Sequence, residues 1–296
     1  KKGLFGKGVF LLKCGIVVEG GGMKSAYSAG ILDYLLDEKI TFDYCIGVSA
    51  GAANLASFLG GQRERNLRFY VIHSKDPRYL GVRNLLTHGS MFNLSFIYQT
   101  MTNSTGADPL NYPALRDNPA EYYVVATDAH TGKPVYFDKS YFRQDDYRAL
   151  MSSCAIPAFC RPISFRGGLY FDGGASDSIP VKRALADGCD RLLILLSKPR
   201  GYVKQPEKGR PAYTILLRKY PAMIRLLNNR HMEYQKQLQF ACDLEAQGKA
   251  VILAPSKPMP ATTFSKDPAM LQSLYDLGYE DGRRELPRWL SMIGQA

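Results

Sequence analysis

Short apolar runs alternate along this chain with longer stretches whose apolar residues recur every three or four positions. The short runs are rich in Val, Ile, Leu and Tyr, which is typical of buried strands, whereas the longer periodicity is typical of helices. The pattern predicts strands at residues 14–19, 44–48, 121–129, 134–138, 168–174, 189–197 and 249–255. It predicts helices around residues 31–36 and at 50–59, 63–75, 145–154, 180–188 and 267–292, with two more after 211.

Strands that alternate with helices favour an α/β fold, and we predict a three-layer sandwich with a mostly parallel central sheet. We place a catalytic core at residues 1–200 and a helical extension with a final strand, packed on that core, at 201–296. Residues 78–118 lack periodicity and predict a loop-rich insertion or lid. Pro221 is expected to kink the first helix of the extension.

Ser49 lies where a predicted strand meets a predicted helix, in the stretch CIGVSAGA. Gly47 and Gly51 complete a G-x-S-x-G pattern, in which small residues allow a sharp turn that exposes a serine hydroxyl. The helix that follows would favour a developing negative charge at its N-terminus. The alternative interpretation is that Ser49 only caps that helix.

Three consecutive glycines, Gly20, Gly21 and Gly22, follow the first predicted strand. Successive amides without side chains are suited to hold an oxyanion. A dinucleotide site is the competing interpretation, but Ser25 stands where the last glycine of its fingerprint belongs. Asp43 also precedes the second strand, whereas the ribose-binding acid should end it.

The proton of an attacking serine needs an acceptor. The four histidines, His73, His88, His130 and His231, do not follow a strand as a Ser-His-Asp triad requires. Asp172 instead ends a predicted strand and precedes two glycines. Taken alone it reads as a turn aspartate that caps its own backbone, but with the other two motifs it favours a base beside Ser49.

The motifs EGGGMKS, GVSAG and DGG, in that order, resemble those of the patatin-like phospholipase family. The segment SSCAIPAF at residues 152–159 is similar to a further block of that family, and the resemblance covers about residues 14–200. It implies a Ser–Asp dyad in which Ser49 attacks and Asp172 accepts the proton. It also implies an oxyanion site at Gly20, Gly21 and Gly22, supported by these motif residues: Lys24, Gly47, Gly51, Gly173 and Gly174.

Two positions depart from the family pattern, and both lie beside the glycine loop. Lys24 stands where the family usually has Arg, which keeps the charge but loses the planar two-pronged donor. Ser25 stands where the family usually has Gly, which adds a Cβ near the loop. Neither change removes a backbone amide, so we expect it to alter the substrate preference more than the activity. The stretch LYDLGYEDGRREL resembles a tail found in some bacterial members.

Composition narrows the class of protein. Of the chain's residues, 46% are apolar and 22% are charged, which is usual for a globular protein. The six cysteines form no CxxC pair and the histidines no metal-binding pattern, so we expect free thiols, no metal and no cofactor in a cytoplasmic protein.

The formal net charge is +11, and residues 198–230 hold nine basic residues against the single acid Glu207. This segment predicts peripheral contact with an anionic membrane, although a solvated helix face packed on the core explains it too. No nucleic-acid-binding module is visible. We therefore predict a serine lipid acyl hydrolase acting on lipid or acyl-ester substrates. The alternatives are a small-ester carboxylesterase and a non-catalytic acyl-lipid-binding protein.

Overall fold

The computed structural model describes residues 12–294, so residues 1–11 and 295–296 of the two predicted regions lie outside the described part. Eight strands form one sheet: β1 (Cys14–Val18), β2 (Tyr44–Val48), β3 (Glu121–Asp128), β4 (Pro134–Phe137), β5 (Ile163–Phe165), β6 (Gly168–Asp172), β7 (Arg191–Leu195) and β8 (Ala250–Leu253).

The described part of the chain contains ten α-helices beside the sheet: α1 (Ala26–Asp37), α2 (Ala50–Leu59), α3 (Arg65–Val71), α4 (Val82–His88), α5 (Tyr112–Asp117), α6 (Arg148–Cys154), α7 (Val181–Ala186), α8 (Arg210–Leu216), α9 (Pro221–Ala246) and α10 (Pro268–Met292). Within residues 12–294, no helix combines the length and the apolar character that crossing a bilayer demands.

The sheet is parallel through its centre and antiparallel at one side. Strands β3, β2, β1, β7 and β8 are neighbours in that order and run parallel. Strand β4 pairs antiparallel with β3, and β6 pairs antiparallel with both β3 and β5. The predicted α/β class with a mostly parallel sheet is confirmed.

Alternate residues of the central strands face two different cores, as the two-residue period of a strand requires. In β1, Ile16 and Val18 enter the core that contains helices α1, α2, α6 and α10. Val17 enters the opposite core, with residues of α7 and α9. The buried sheet therefore lies between two helical layers, which accounts for strands that read as unbroken apolar runs.

One feature of the strand pairing brings two of the candidate site residues together. Val48, the last residue of β2, pairs with Val125 of β3, and the next residue of β3, Ala126, pairs with Asp172 of β6. Strand β4 occupies the opposite edge of β3 along both positions. Strand β6 therefore continues along the same edge of β3 where β2 leaves it. The chain turns out of the sheet at Ser49 just where Asp172 arrives.

The last part of the chain packs closely on the first. Helix α10 crosses α1 at a pair of glycines: a Cβ on Gly278 would lie 1.9 Å from the Tyr27 carbonyl oxygen, and one on Gly30 would lie 2.0 Å from that of Tyr275. The Tyr275 hydroxyl also donates to Asp33 across this contact, at 2.7 Å. A side chain at either glycine would push the two helices apart.

The structure refines one expectation from the sequence and overturns another. Residues 78–118 are about half loop, because 19 of these 41 residues belong to α4, α5 and a π-helical segment at Phe96–Met101. These elements are too short for a helical apolar period to stand out in the sequence. Pro221 does not kink a helix: it occupies the first position of α9, where no amide hydrogen bond is lost.

Candidate active site

Ser49 lies on a strained turn between β2 and α2. Its backbone angles are φ 54° and ψ −130°, a region that residues with a Cβ rarely occupy. Its side chain makes no capping hydrogen bond to α2, so the interpretation of Ser49 as a helix cap is wrong. The hydroxyl stays available at a position where the backbone is held at a cost of about 1–3 kcal/mol.

Gly47 and Gly51 flank Ser49 and permit this turn, because their backbone packs closely against neighbouring backbone atoms. A Cβ on Gly47 would lie 2.6 Å from the Ala52 Cα, and a Cβ on Gly51 would lie 2.6 Å from the Val18 carbonyl oxygen. Neither distance leaves space for a side chain. These two glycines therefore lie behind Ser49 and set its geometry, and they do not line the cavities in front of it.

Ser153, which the sequence motifs did not single out as a functional residue, supports the same turn. The Ser49 amide donates to the Ser153 Oγ at 2.7 Å, and that hydroxyl donates to the Val125 carbonyl oxygen at 2.5 Å. Ser153 belongs to α6, in the SSCAIPAF segment. The buried hydroxyl thus links the strained turn to β3. Its only sequence signal was the likeness of that segment to a family block.

Asp172 is buried at the end of β6, next to Ser49. Its Oδ1 accepts from the Gly174 amide at 2.7 Å, so the carboxylate does cap its own turn. Burial raises the pKa of Asp172, while the neighbouring Ser49 hydroxyl, the Gly174 amide and the charge of Arg230 act to lower it. Gly173 packs behind the site, where a Cβ would lie 2.2 Å from the Val125 carbonyl oxygen.

The glycine loop lies against Ser49. A Cβ on Gly20 would lie 2.8 Å from the Ser49 Cβ, and Gly22 adopts a φ of 57°. Ser197 Oγ donates to the Gly20 carbonyl oxygen at 2.8 Å, and because the peptide is trans the Gly21 amide points away from Ser197. Across residues 12–294, the amides of this loop (Gly20, Gly21 and Gly22) meet no hydrogen-bond acceptor.

Two cavities of contrasting character meet at Ser49. The inner cavity has mostly apolar walls. They include the following side chains: Met23, Phe69, Tyr79, Phe92, Leu94 and Ile97. The outer cleft holds Ser49, Asp172 and Lys24 together with the glycine loop. None of the four histidines lines either cavity.

Charged side chains surround the outer cleft. Lys198 pairs with the buried Glu19, and Lys204 pairs with Glu207 at 2.9 Å. Burial lowers the pKa of Lys24 to about 8, and repulsion from the nearby Lys198, Lys204 and Arg230 adds to this. The cleft is therefore a partly desolvated, predominantly positive space.

The strained turn yields a prediction about stability. Replacing Ser49 by Gly relieves the backbone strain, whereas replacing it by Ala retains it. We expect Ser49→Gly to exceed Ser49→Ala in the free energy of unfolding by about 1–3 kcal/mol, measured by urea denaturation. At the exposed helical position Ser273 the order should reverse, with Ala ahead of Gly by about 1 kcal/mol. The same order at both positions would show that Ser49 is not strained.

Comparison with known proteins finds relatives with similar sequences. YjjU from Escherichia coli (strain K12) is 25% identical over 271 residues, which cover 90% of this chain and 75% of YjjU. Lysophospholipase nte1 from Aspergillus fumigatus is 24% identical over 190 residues, which cover 61% of this chain but 12% of that protein. The chain thus spans a small part of the fungal enzyme.

Among solved structures, VipD from Legionella pneumophila matches 94% of this chain and 67% of its own, with 13% sequence identity and a TM-score of 0.48. The model of a domain of unknown function (DUF6363) matches residues 220–294. The model of patatin-like phospholipase matches residues 16–185, more than half of the chain, and this range contains the glycine loop, Ser49, Ser153 and Asp172. The chain belongs to the patatin-like phospholipase family.

Proposed function

We propose that this protein is a serine lipid acyl hydrolase, of the phospholipase A or lysophospholipase type, which uses Ser49 and Asp172 as a catalytic dyad. The observation that carries the proposal is the position of Ser49: a strained turn, beside a buried carboxylate, where an apolar cavity meets a charged cleft. Membership of a family of lipid hydrolases and the likeness to a fungal lysophospholipase support it.

In this mechanism the Ser49 oxygen attacks the ester carbonyl while Asp172 accepts its proton. The carbonyl oxygen becomes negative, and the free amides of the glycine loop stabilise it. The alcohol part then leaves with the proton from Asp172, and the acyl group stays on Ser49. Asp172 next deprotonates a water molecule, which attacks the acyl-enzyme. The bond to the Ser49 oxygen then breaks, Asp172 returns the proton to that oxygen, and the fatty acid is released. These steps need neither a metal nor a cofactor.

Burial of Asp172 matters for this chemistry. A fully solvated carboxylate is a weak base, and a group works best as a general base when its pKa approaches the working pH. Burial raises the pKa of Asp172 toward that range, and the Ser49 hydroxyl is its neighbour. The same residue thus combines proximity to the nucleophile with increased basicity.

The two cavities suggest how a substrate lies. The inner cavity has an apolar lining suited to one acyl chain, with Ala53 one helical turn beyond Ser49. The outer cleft is positive and opens to solvent, so the polar head group belongs there. A single inner cavity favours substrates with one acyl chain to bury, such as lysophospholipids.

The rim of the outer cleft supports contact with a membrane. Leu86 of α4 is 82% exposed, and Ile215 and Leu216 of α8 are each 63% exposed. Phe159 is also exposed on this rim and lines the cleft with Leu216. Exposed bases lie close to α8 along the chain: Lys208, Arg210, Arg218 and Lys219. Apolar side chains interspersed with bases suit an anionic lipid surface.

The proposed setting is the cytoplasm, with peripheral attachment to its membrane. All six cysteines are free thiols, including the buried Cys45, Cys154 and Cys189, as is usual in reducing compartments. The substrate reaches Ser49 through the outer cleft, whose rim would rest on the lipid surface.

A serine-directed fluorophosphonate tests the dyad. We expect the wild type to be labelled, Ser49→Ala to escape labelling, and Asp172→Asn to lose at least about 100-fold in kcat/KM. The kcat/KM should fall as the pH drops through the raised pKa of Asp172, because the protonated carboxyl cannot accept a proton. His88→Ala is the control and should leave turnover intact. An unlabelled folded wild type would indicate a lipid-binding protein, and an active Asp172→Asn would refute the dyad.

The inner cavity predicts a dependence on chain length. Ala53→Trp fills the cavity beyond Ser49, so turnover of esters with twelve or more acyl carbons should fall about tenfold or more, because buried methylenes each contribute about 0.8 kcal/mol. Butanoyl ester turnover should change little. Ala212→Trp, on the outer cleft, is the matched control and should leave the chain-length profile unaltered. Equal losses for short and long esters would contradict this assignment.

The rim predicts membrane binding. The double variant Leu86→Ser, Ile215→Ser should bind vesicles of phosphatidylglycerol and phosphatidylcholine about tenfold or more weakly, because burying each side chain stabilises by about 1.5–3 kcal/mol. Its turnover of a soluble short-chain ester should be unchanged. Ile72→Ser, at a residue that is 55% exposed but lies away from the cleft, should bind like wild type. Equal vesicle binding by all three proteins would exclude this rim as the contact.

A further inference from the structure

Arg230 reaches the proposed active site from outside the part of the chain that matches the patatin model. It belongs to α9, within the stretch that matches a domain of unknown function, and it lines the outer cleft with Ser49 and Asp172. Its side chain is 30% exposed. A basic side chain held mostly out of solvent calls for a specific partner.

Arg230 has two partners, one on the turn that follows Asp172 and the other at Glu207. Its Nε donates to the Gly174 carbonyl oxygen at 2.6 Å, and its Nη1 contacts Glu207 Oε1 at 2.8 Å. The Gly174 amide in turn donates to Asp172 Oδ1 at 2.7 Å. Arg230 therefore binds the carbonyl group of Gly174, and the amide of the same Gly174 binds the Asp172 carboxylate.

The surroundings of Gly174 also show how close the Arg230 guanidinium lies to the Asp172 carboxylate. A Cβ built on Gly174 would lie 3.1 Å from Asp172 Oδ1 and 3.3 Å from Arg230 Nη2. The two atoms are thus no more than about 6.4 Å apart, the sum of those distances. An opposite charge at about 4–6 Å is close enough to favour the ionised form of a buried carboxyl.

We propose that Arg230 is a positioning residue for the proposed reaction: it fixes the Asp172–Gly174 turn through the Gly174 carbonyl and keeps Asp172 ionised through its permanent charge. The inference rests on the proposed function. It assigns a role to the C-terminal region, which would supply one residue that the catalytic core lacks. Arginine suits the role because it stays protonated over the whole working pH range and donates in a fixed fork.

The other groups around Asp172 do not carry a compensating positive charge. The Ser49 hydroxyl and the Gly174 amide are neutral donors. Burial raises the pKa of the Cys154 thiol to about 12 and that of the Cys160 thiol to about 11, so both are uncharged near neutral pH. Loss of Arg230 should therefore raise the pKa of Asp172.

The groups around Arg230 itself titrate elsewhere. The pKa of Glu207 is held below its usual value by Arg230 and Lys204 in spite of burial. Lys24, whose pKa is about 8, loses its proton on the alkaline side, and burial lowers the pKa of Lys198 although its partner Glu19 acts to raise it. An effect of Arg230 on Asp172 should consequently be confined to the acidic limb of the pH profile.

The test compares wild type with Arg230→Gln, Arg230→Lys and Arg225→Gln. Arg225 is an exposed residue of the same helix and serves as the matched control. The kcat/KM for an uncharged soluble butanoyl ester is measured from pH 4.5 to 10, and KM is measured in parallel for an anionic lysophospholipid. Circular dichroism and thermal unfolding report whether each variant is folded.

We expect the acidic limb of Arg230→Gln to move up by about one pH unit. With this shift, kcat/KM of the variant should be about tenfold lower than that of wild type at pH values below the pKa of Asp172 and near that of wild type at pH 9. Arg230→Lys should show a smaller shift, because the charge remains while the fork is lost, and Arg225→Gln should show none. If Arg230→Gln does not fold, the shift in Arg230→Lys decides the matter.

Three outcomes would overturn the role of Arg230. They are an unshifted limb, an equal loss of kcat/KM at every pH, and a rise in KM for the anionic lipid with an unchanged profile for the neutral ester. The last would make Arg230 a head-group ligand. Each requires an active wild type, whereas an inactive and unlabelled wild type would instead refute the proposed function.

Discussion

The candidate site depends on the pairing of two strands, β2 and β6, with the same edge of β3. Val125 pairs with the last residue of β2, and Ala126 pairs with Asp172 at the end of β6, both on one edge of β3. Two residues 123 positions apart in the sequence, Ser49 and Asp172, are thus brought together by backbone hydrogen bonds of a buried sheet. A slip of one residue in either pairing would turn one of the two side chains to the other face.

The strain at Ser49 is maintained by contacts on several sides. Gly47 and Gly51 allow the backbone of the turn to approach its neighbours where any Cβ would collide. The Ser153 hydroxyl accepts from the Ser49 amide and donates to the same β3 residue that pairs with Val48. Backbone strain persists only where its surroundings over-determine it, and here the sheet, the glycines and α6 all act on one residue.

The two cavities divide the chemistry of a lipid between two parts of the chain. The inner, apolar cavity is built by residues 22–156, within the patatin-like region. The outer cleft draws several of its charges from beyond that region, among them Lys198, Lys204 and Arg230. In the proposed function the core thus buries the acyl chain, and the C-terminal part sets the electrostatics in which the head group and Asp172 lie.

The sequence by itself determined the elements that local chemistry specifies. Runs of β-branched and apolar residues predicted the buried strands, and glycines at strand ends marked the loop at residues 20–22, the turn at Ser49 and the turn after Asp172. Local patterns also left open whether Ser49 and Asp172 only cap their own turns. The Ser49 side chain does not cap α2, whereas Asp172 does cap its own turn, and its part as a base for Ser49 stays a prediction.

Only the tertiary structure decided the rest. Neither Ser153 nor Arg230 carries a local signal of its role, because a serine in a helix and an arginine in a basic segment look ordinary until their partners are known. The inner cavity likewise draws part of its lining from residues 78–118, which showed no period: Tyr79, Phe92, Leu94 and Ile97 belong to it. Local propensity acts over a few residues, but these contacts join residues 28 to 104 positions apart, and their energies exist only once the sheet has aligned them.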